Sequence, residues 1–281
     1  GRALIADKQE QENLRRLNLL AGQKAKRSNA YKPALEYFKT AKALLEEDAW
    51  SDVYDQCFDI HQEYADTAYL NGELEVADVT CSLILVEAKT DLEKAIIYGM
   101  QVVQYSSAGR LEEALQVAIK ALSLLGIEIT TQPEEAVISE EVALITQNLD
   151  SRSIASLIDQ PLMVDAEKKI AMRILMDMGV PAYLLGLGNL HTVTTFKQVN
   201  LALQYGNSPE ASYAYCVYAV ILNARFQDFK SANEFGKLAI ALNEKLGDLE
   251  FRCKTLFIYT IAINCWNNHW RTISPFLNQA I

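Results

Sequence analysis

Apolar and small residues recur along this chain at spacings of three and four, in runs separated by polar stretches that carry glycine. The sharpest run is Ala108-Gly109-Arg110-Leu111-Glu112-Glu113-Ala114-Leu115, continued by Ala118 and Ala121. A weaker copy reads Asn71-Gly72-Glu73-Leu74-Glu75-Val76-Ala77, continued by Cys81 and Ile84. In both, a small residue stands five positions after the glycine, and small or apolar residues follow four and seven later. This period puts them on one face of a helix, where small side chains let a neighbouring helix approach closely. The glycine closes the helix before. An earlier copy pairs Leu14, Leu17, Leu20 and Ala21 with Ala34, Phe38 and Ala41, and Pro33 sits near the second helix start, where its missing N–H costs nothing. The pattern predicts helix–turn–helix units stacked in series.

After residue 126 the pattern blurs. Thr131-x-Pro133-Glu134-Glu135 is a helix start, with acidic residues suited to the positive end of the helix dipole, and the helix runs to about 148. A short helix is expected over 154–158 and another from Asp165. Pro181 and three glycines predict an irregular junction over 179–189, because proline removes a helical donor and glycine weakens a helix. Helices then follow over 190–205, 210–225 (opened by Ser208 as cap and Pro209 in the first turn), 229–245, 249–266 and 270–281. Strand signals are scarce, and about fourteen helices are expected.

Gly22, Ala34, Phe38 and Ala41 resemble the small, Ala, Phe and Ala positions of the tetratricopeptide repeat (TPR), as do Ala65, Ala77, Cys81 and Ile84, and Val102, Ala114, Ala118 and Ala121. The Trp and the closing Pro of the consensus are missing from the first copy. Ala34 to Ala77 is 43 residues and Ala77 to Ala114 is 37, against a standard period of about 34. The resemblance implies an all-α, TPR-like α-solenoid of antiparallel helix pairs on a right-handed superhelical path. It divides into an N-terminal repeat block (1–130), a degenerate segment with the Gly/Pro junction (131–189) and a C-terminal repeat block (190–281). The last block stops inside a repeat's second helix with no polar capping helix, so the native chain is expected to continue beyond Ile281. Gly1 in place of Met suggests a cleaved tag or an excised fragment.

Charge and composition narrow the partners. With 26 Lys and Arg against 36 Asp and Glu, the net charge is −10. This disfavours nucleic acid, which needs clustered cations; the short Lys24, Lys26, Arg27 cluster reads as a solvated helix face. The apolar window 170–190 holds Arg173, Asp177 and Pro181. It reads as a buried helix rather than a span, so no membrane insertion is expected. Five cysteines, at 57, 81, 216, 253 and 265, form no CxxC pair and read as small packing residues of a reducing, cytoplasmic compartment.

Catalytic motifs are missing. There is no phosphate loop, no G-x-S-x-G elbow and no H-E-x-x-H. Histidines 61, 191 and 269 are scattered, and His61, beside Asp59 and Glu63, reads as a surface or groove residue. The chain is expected not to be an enzyme and to need no cofactor and no metal. Tyr205, Tyr213, Tyr215 and Tyr218 crowd one hairpin, with Tyr183 upstream. They pack between repeats, or, where they face a groove, anchor a partner. In TPR geometry the first helix of each pair lines a concave face. That would direct Arg16, Gln23 and Lys26, then Gln62, Asp66 and Tyr69, then Val103 and Ser106, toward a protein or peptide; the bland alternative is a solvated stripe.

Two longer segments carry a second resemblance. One is Ile154-Ala155-Ser156-Leu157-Ile158-Asp159-Gln160-Pro161-Leu162-Met163, continuing through Asp165 to Lys168 and Ala171 to Leu175 as far as Pro181-Ala182-Tyr183. The other is Val199-Asn200-Leu201-Ala202-Leu203-Gln204-Tyr205-Gly206-Asn207-Ser208-Pro209, then Ala214-Tyr215. Together they resemble the helical region of large multidomain signalling kinases of cyanobacteria and other bacteria. In that family Ser/Thr-kinase-like and AAA/STAND-type ATPase domains precede the repeats, and GAF and histidine kinase domains often follow. The likeness spans most of 10–281 and is strongest over 150–245. It carries over no catalytic residue. It implies a scaffold for protein contact or intramolecular regulation in a two-component signalling kinase. Two readings stand beside it: a small-ligand sensor that relays to an ATPase or kinase, which a deep, apolar, tyrosine-lined pocket would favour, and a helical enzyme, which would need convergent His, Asp or Glu in a cleft.

Overall fold

Glycine-closed turns and stripes of small residues organise the computed structural model, which describes residues 7–267 and 269. Among these the chain is helical, without a strand; one isolated bridge links Leu162 and Asn207. Contacts divide the chain into two compact units, 1–104 and 105–281.

In the first unit, α1 (Lys8–Arg27) starts where the Asp7 carboxylate accepts the Gln9 N–H at 2.8 Å and ends in Lys24, Lys26 and Arg27. It packs on α2 (Tyr31–Lys42), whose inner face is Ala34, Leu35, Phe38 and Ala41. Gly22 lies under the Phe38 ring; a Cβ there would stand 2.5 Å from the nearest ring carbon. The short α3 (Ala49–Asp52) leads into α4 (Tyr54–Leu70), which packs on α2 and on α5 (Leu74–Glu87). The turn between α4 and α5 has Gly72 at φ +86°, a left-handed conformation that costs glycine little. Phe58, Ala65, Cys81, Ile84, Ala88 and Ile97 form one core cluster. At the start of α6 (Asp91–Ser107), the Glu93 N–H donates to Thr90 Oγ1 at 3.1 Å and the Thr90 N–H to Glu93 Oε2 at 2.8 Å. This capping box is legible as Thr90-x-x-Glu93.

The second unit holds α7 (Leu111–Leu124), α8 (Glu135–Leu149), a 3-10 segment (Ile154–Asp159), α9 (Ala166–Leu184), α10 (Gly188–Tyr205) and α11 (Pro209–Ile221). A π-helical turn (Leu222–Phe226), α12 (Phe229–Leu246), α13 (Arg252–Ile258), a second π segment (Tyr259–Asn264) and α14 (Cys265–Asn267) complete it. α10 is central, packing on α8, α9 and α11, while α12 packs on α11 and the 3-10 segment. Ser208 caps α11 with Pro209 behind it, as expected. A knot of backbone bonds holds 161–163 against 206–207: Asn207 N–H to Pro161 O and Met163 N–H to Asn207 O, both 2.8 Å. The stripe residues of the motif, including Ala34, Phe38, Ala77, Cys81, Ala114, Ala118 and Ala121, are all buried.

Several expectations need correction. α9 continues through Gly179 and Pro181 to Leu184, and the break narrows to Leu185–Leu187, with Gly186 at φ +72°. Pro181 sits in the last turn of α9. It forfeits one helical bond there, while its ring is buried and its carbonyl still accepts the Leu185 N–H at 3.0 Å. The helix expected over 249–266 is interrupted by the π segment. The helix expected over 270–281 lies outside the described residues. His61 is buried, its Nδ1 2.8 Å from the Cys57 carbonyl and its ring 4.9 Å from that of Trp50. Cysteines 57, 81 and 216 are packing residues, but Cys253 is exposed and Cys265 half-buried.

Candidate functional site

Two depressions merit functional scrutiny, one in each unit. In the first unit, α1 and α4 present polar residues to a hollow of about 320 Å³. Gln23, Lys26, Gln62 and Asp66 line it, together with Asp59, Glu63 and Met100. Lys26 donates to Asp66 at 2.6 Å and to Glu63 at 2.7 Å, and Gln23 donates to the other Glu63 oxygen at 3.2 Å. Burial pulls the Lys26 pKa down, but the bonds and charges of Asp66 and Glu63 outweigh it and the net shift is upward. Burial, reinforced by Glu63 and Asp55, pushes Asp59 up.

Four of the six residues singled out from sequence thus meet in one hollow, and two do not. Arg16 is exposed; its neighbour Arg15 is the buried one, donating to Gln56 at 2.7 Å. Tyr69 packs instead against the cluster of Leu35, Ala68 and Ala77. The charge of Lys26 is already met by two carboxylates of its own unit. Glu63, which receives both Lys26 and Gln23, was overlooked; its place one turn before Thr67 and beside Gln62 on α4 was the available signal.

In the second unit, four helices enclose an apolar pocket of about 420 Å³. α9 supplies Met176, Gly179, Val180, Tyr183 and Leu184; α11 supplies Tyr213, Val217 and Val220. α13 and the π segment add Phe257, Ile258, Ile261 and Ala262. α10 contributes the polar part, His191, Thr195 and Gln198, which share a face at spacings of four and three. The mouth is apolar: Tyr183 is 71 % exposed and Leu184 61 %. The rings of Tyr183 and His191 lie 5.7 Å apart, inclined by 57°. Burial lowers the His191 pKa and, with the Cys216 and Asp177 charges, raises that of Tyr213. Among the described residues the lining side chains include no Asp, Glu, Lys or Arg.

The tyrosines divide between the two roles weighed from sequence. Tyr215 and Tyr218 are core residues, their rings 5.7 and 4.9 Å from that of Phe235. Tyr183 and Tyr213 line the pocket. Tyr205 is exposed, with the Lys168 ammonium 5.6 Å from its ring centre. The pocket as a whole escaped sequence reading, because its residues come from four separate stretches.

Among the described residues no group of His, Cys, Asp or Glu is arranged to hold a metal ion, and no helix is long and apolar enough to cross a membrane. No family model matches the chain. It is similar along its whole length to hybrid signal transduction histidine kinase G of Dictyostelium discoideum, with 24 % identity over an alignment of 308 residues. The chain spans 9 % of that protein's length. The likeness is to one stretch of that histidine kinase.

Proposed function

We propose that this chain is a non-catalytic interaction and regulatory module of a multidomain signal-transduction kinase, cytoplasmic, with a protein, a peptide or neighbouring domains of its own polypeptide as partner. The observation that carries this reading is helix α5. Its inner face is Ala77, Thr80, Cys81 and Ile84. Its outer face is also apolar: Val79 is 70 % exposed and Val86 80 %, with Leu83 between them. Glu75 and Ser82 are exposed as well, but Val79, Leu83 and Val86, at spacings of four and three, make one continuous apolar stripe. Scattered exposed apolar residues need no explanation, but an aligned set marks a contact surface.

The repeated small-residue motif supports a TPR-like solenoid of antiparallel helix pairs with a right-handed superhelix. The polar hollow, where Gln23, Lys26, Gln62 and Asp66 meet, is a second candidate surface of the same module. We prefer α5, because a partner at the polar hollow would compete with the bonds Lys26 already makes. The test is capture of the chain by the domains flanking it in the natural polypeptide, each made separately. Val79→Asp with Val86→Asp is expected to weaken capture at least about tenfold, since a lost interface anchor costs ~1–2 kcal/mol. Both positions are exposed, so the melting temperature should hold. Capture untouched by the double substitution removes α5 from the proposal; no capture by any flanking domain removes the reading.

A second reading is favoured by one observation, the apolar, tyrosine-walled pocket of the second unit. In it, this region senses a small ligand and relays its binding to an adjacent ATPase or kinase domain.

A further inference from the structure

Helix α10 turns His191, Thr195 and Gln198 into the apolar pocket of the second unit. Thr195 is engaged: its hydroxyl donates to the His191 carbonyl at 2.9 Å. Gln198 is different. It is only 4 % exposed and lines the pocket, yet its amide has no hydrogen-bond partner among the described residues. The amide is not sealed from solvent, so what it faces is the open space of the pocket. The amide keeps both its donor and its acceptor. The His191 ring, whose pKa burial lowers, lies tilted against the Tyr183 ring and makes no hydrogen bond among the described residues either.

The rest of the wall states what would fit. A volume of about 420 Å³ lies in the range of sites for small organic molecules, which are mainly apolar with a few placed polar groups. With no charged side chain lining it among the described residues, a carboxylate or ammonium would be buried with no counter-ion, at heavy cost. A pure hydrocarbon would leave Gln198 unpaired. Part of the wall is the π segment Tyr259–Asn264, a backbone irregularity that tends to mark functional sites. Asn223 donates to the Ala262 carbonyl of this segment at 3.0 Å, which holds the irregular turn in place.

We propose that this pocket binds an uncharged, mostly apolar small molecule whose carboxamide-like head pairs donor and acceptor with Gln198. The proposal rests on the sensor reading above and gives it a ligand class. Tyr183, Tyr213 and Phe257 flank the ligand body, and Gly179 leaves room for it on the α9 side, where the nearest atom to an added Cβ is Thr194 Oγ1 at 3.9 Å.

The test uses the whole 281-residue chain with N-phenyl-1-naphthylamine, an uncharged fluorescent amphiphile, as probe. Decanamide and decanoate, of equal chain length, serve as competitors. Saturable binding of one probe per chain is expected, with decanamide displacing it at a concentration at least about tenfold below decanoate, given the cost of burying the carboxylate. Gly179→Leu fills the pocket from a helical position where leucine is the better helix former, and should weaken probe binding at least about tenfold. Gln198→Leu should keep the probe and weaken decanamide about tenfold, the worth of a lost hydrogen bond. Absence of saturable probe binding overturns both the ligand class and the sensor reading. Equal displacement by the two competitors, an unchanged decanamide affinity in Gln198→Leu, or native probe affinity in Gly179→Leu overturns the ligand class. The assay needs no other domain, so capture through α5 stands or falls separately.

Discussion

Gly22 and Phe38 should be energetically coupled, and the coupling can be measured. Three carbons of the Phe38 ring would lie 2.5, 2.7 and 2.8 Å from a Cβ at position 22. Carbon–carbon contacts are comfortable at about 3.5–4.0 Å, so the ring must retreat by roughly 1 Å. Phe38 is fully buried and has nowhere to go without displacing α2. Overpacking of this kind costs about 1–3 kcal/mol, while alanine is worth ~1 kcal/mol more than glycine inside a helix. Gly22→Ala should therefore lose up to about 2 kcal/mol net. In a Phe38→Leu background the clash is relieved and only the helix term survives, so the same substitution should gain ~1 kcal/mol. The difference is a coupling of about 1–3 kcal/mol. Urea unfolding followed by Trp50 fluorescence, with Trp266 and Trp270 replaced by Phe, confines the readout to the first unit. Stabilisation by Gly22→Ala alone, or additivity of the two changes, would refute the packing argument.

Burial, against the opposing pull of Arg173, raises the Asp177 carboxyl to about 6. The folded state then holds that proton more tightly than the unfolded chain, whose ordinary value is ~3.9; the stability contributed is complete below about pH 4 and lost as pH rises through 6. Asp177→Asn should stabilise the second unit at pH 8 by up to ~2 kcal/mol, with Arg173 still bonded to Glu250 at 2.6 Å, and should flatten the pH 4–7 profile; an unchanged slope contradicts this. Gly206, at φ +106° and close against the Pro161 carbonyl, should tolerate no side chain, so Gly206→Ala should lose about 3 kcal/mol by urea unfolding, and a neutral result would disprove the strain. Burial pushes the Cys57 thiol to about 11 and Cys81 to about 12, so a thiol reagent at pH 8 should label Cys253 at once and Cys57, Cys81 and Cys216 only on unfolding; fast labelling of all cysteines would refute the burial.

Much of the fold was legible because small residues at helical spacing leave a strong local signature. Ala114, Ala118 and Ala121 named their helix and its buried face, and Ser208-Pro209 named the start of α11. Pro181 misled, since a proline's effect depends on how far it stands from the helix end and on what covers its ring; neither is local. His61 misled for a similar reason: Asp59 and Glu63 flank it in sequence but point away from the core it occupies. The polar hollow was partly readable because its residues recur on two helices at regular spacing. The second pocket was not, because the free amide of Gln198 becomes visible only when four helices surround it and none supplies a partner.

The π segment at Tyr259–Asn264 has a consequence for how this region can change through descent. A π turn is a helix carrying one residue too many. Because the wider turn absorbs the extra residue, loss of one residue there would restore regular winding with the flanking helix left in register, and would shift the side chains of the segment itself, Ile261 and Ala262 of the pocket wall among them. A three-nucleotide deletion, with no change in helix content, would thus remodel the wall of the pocket. Relatives that share this helix could differ in what they admit through a single missing codon, while their core stripes stay the same.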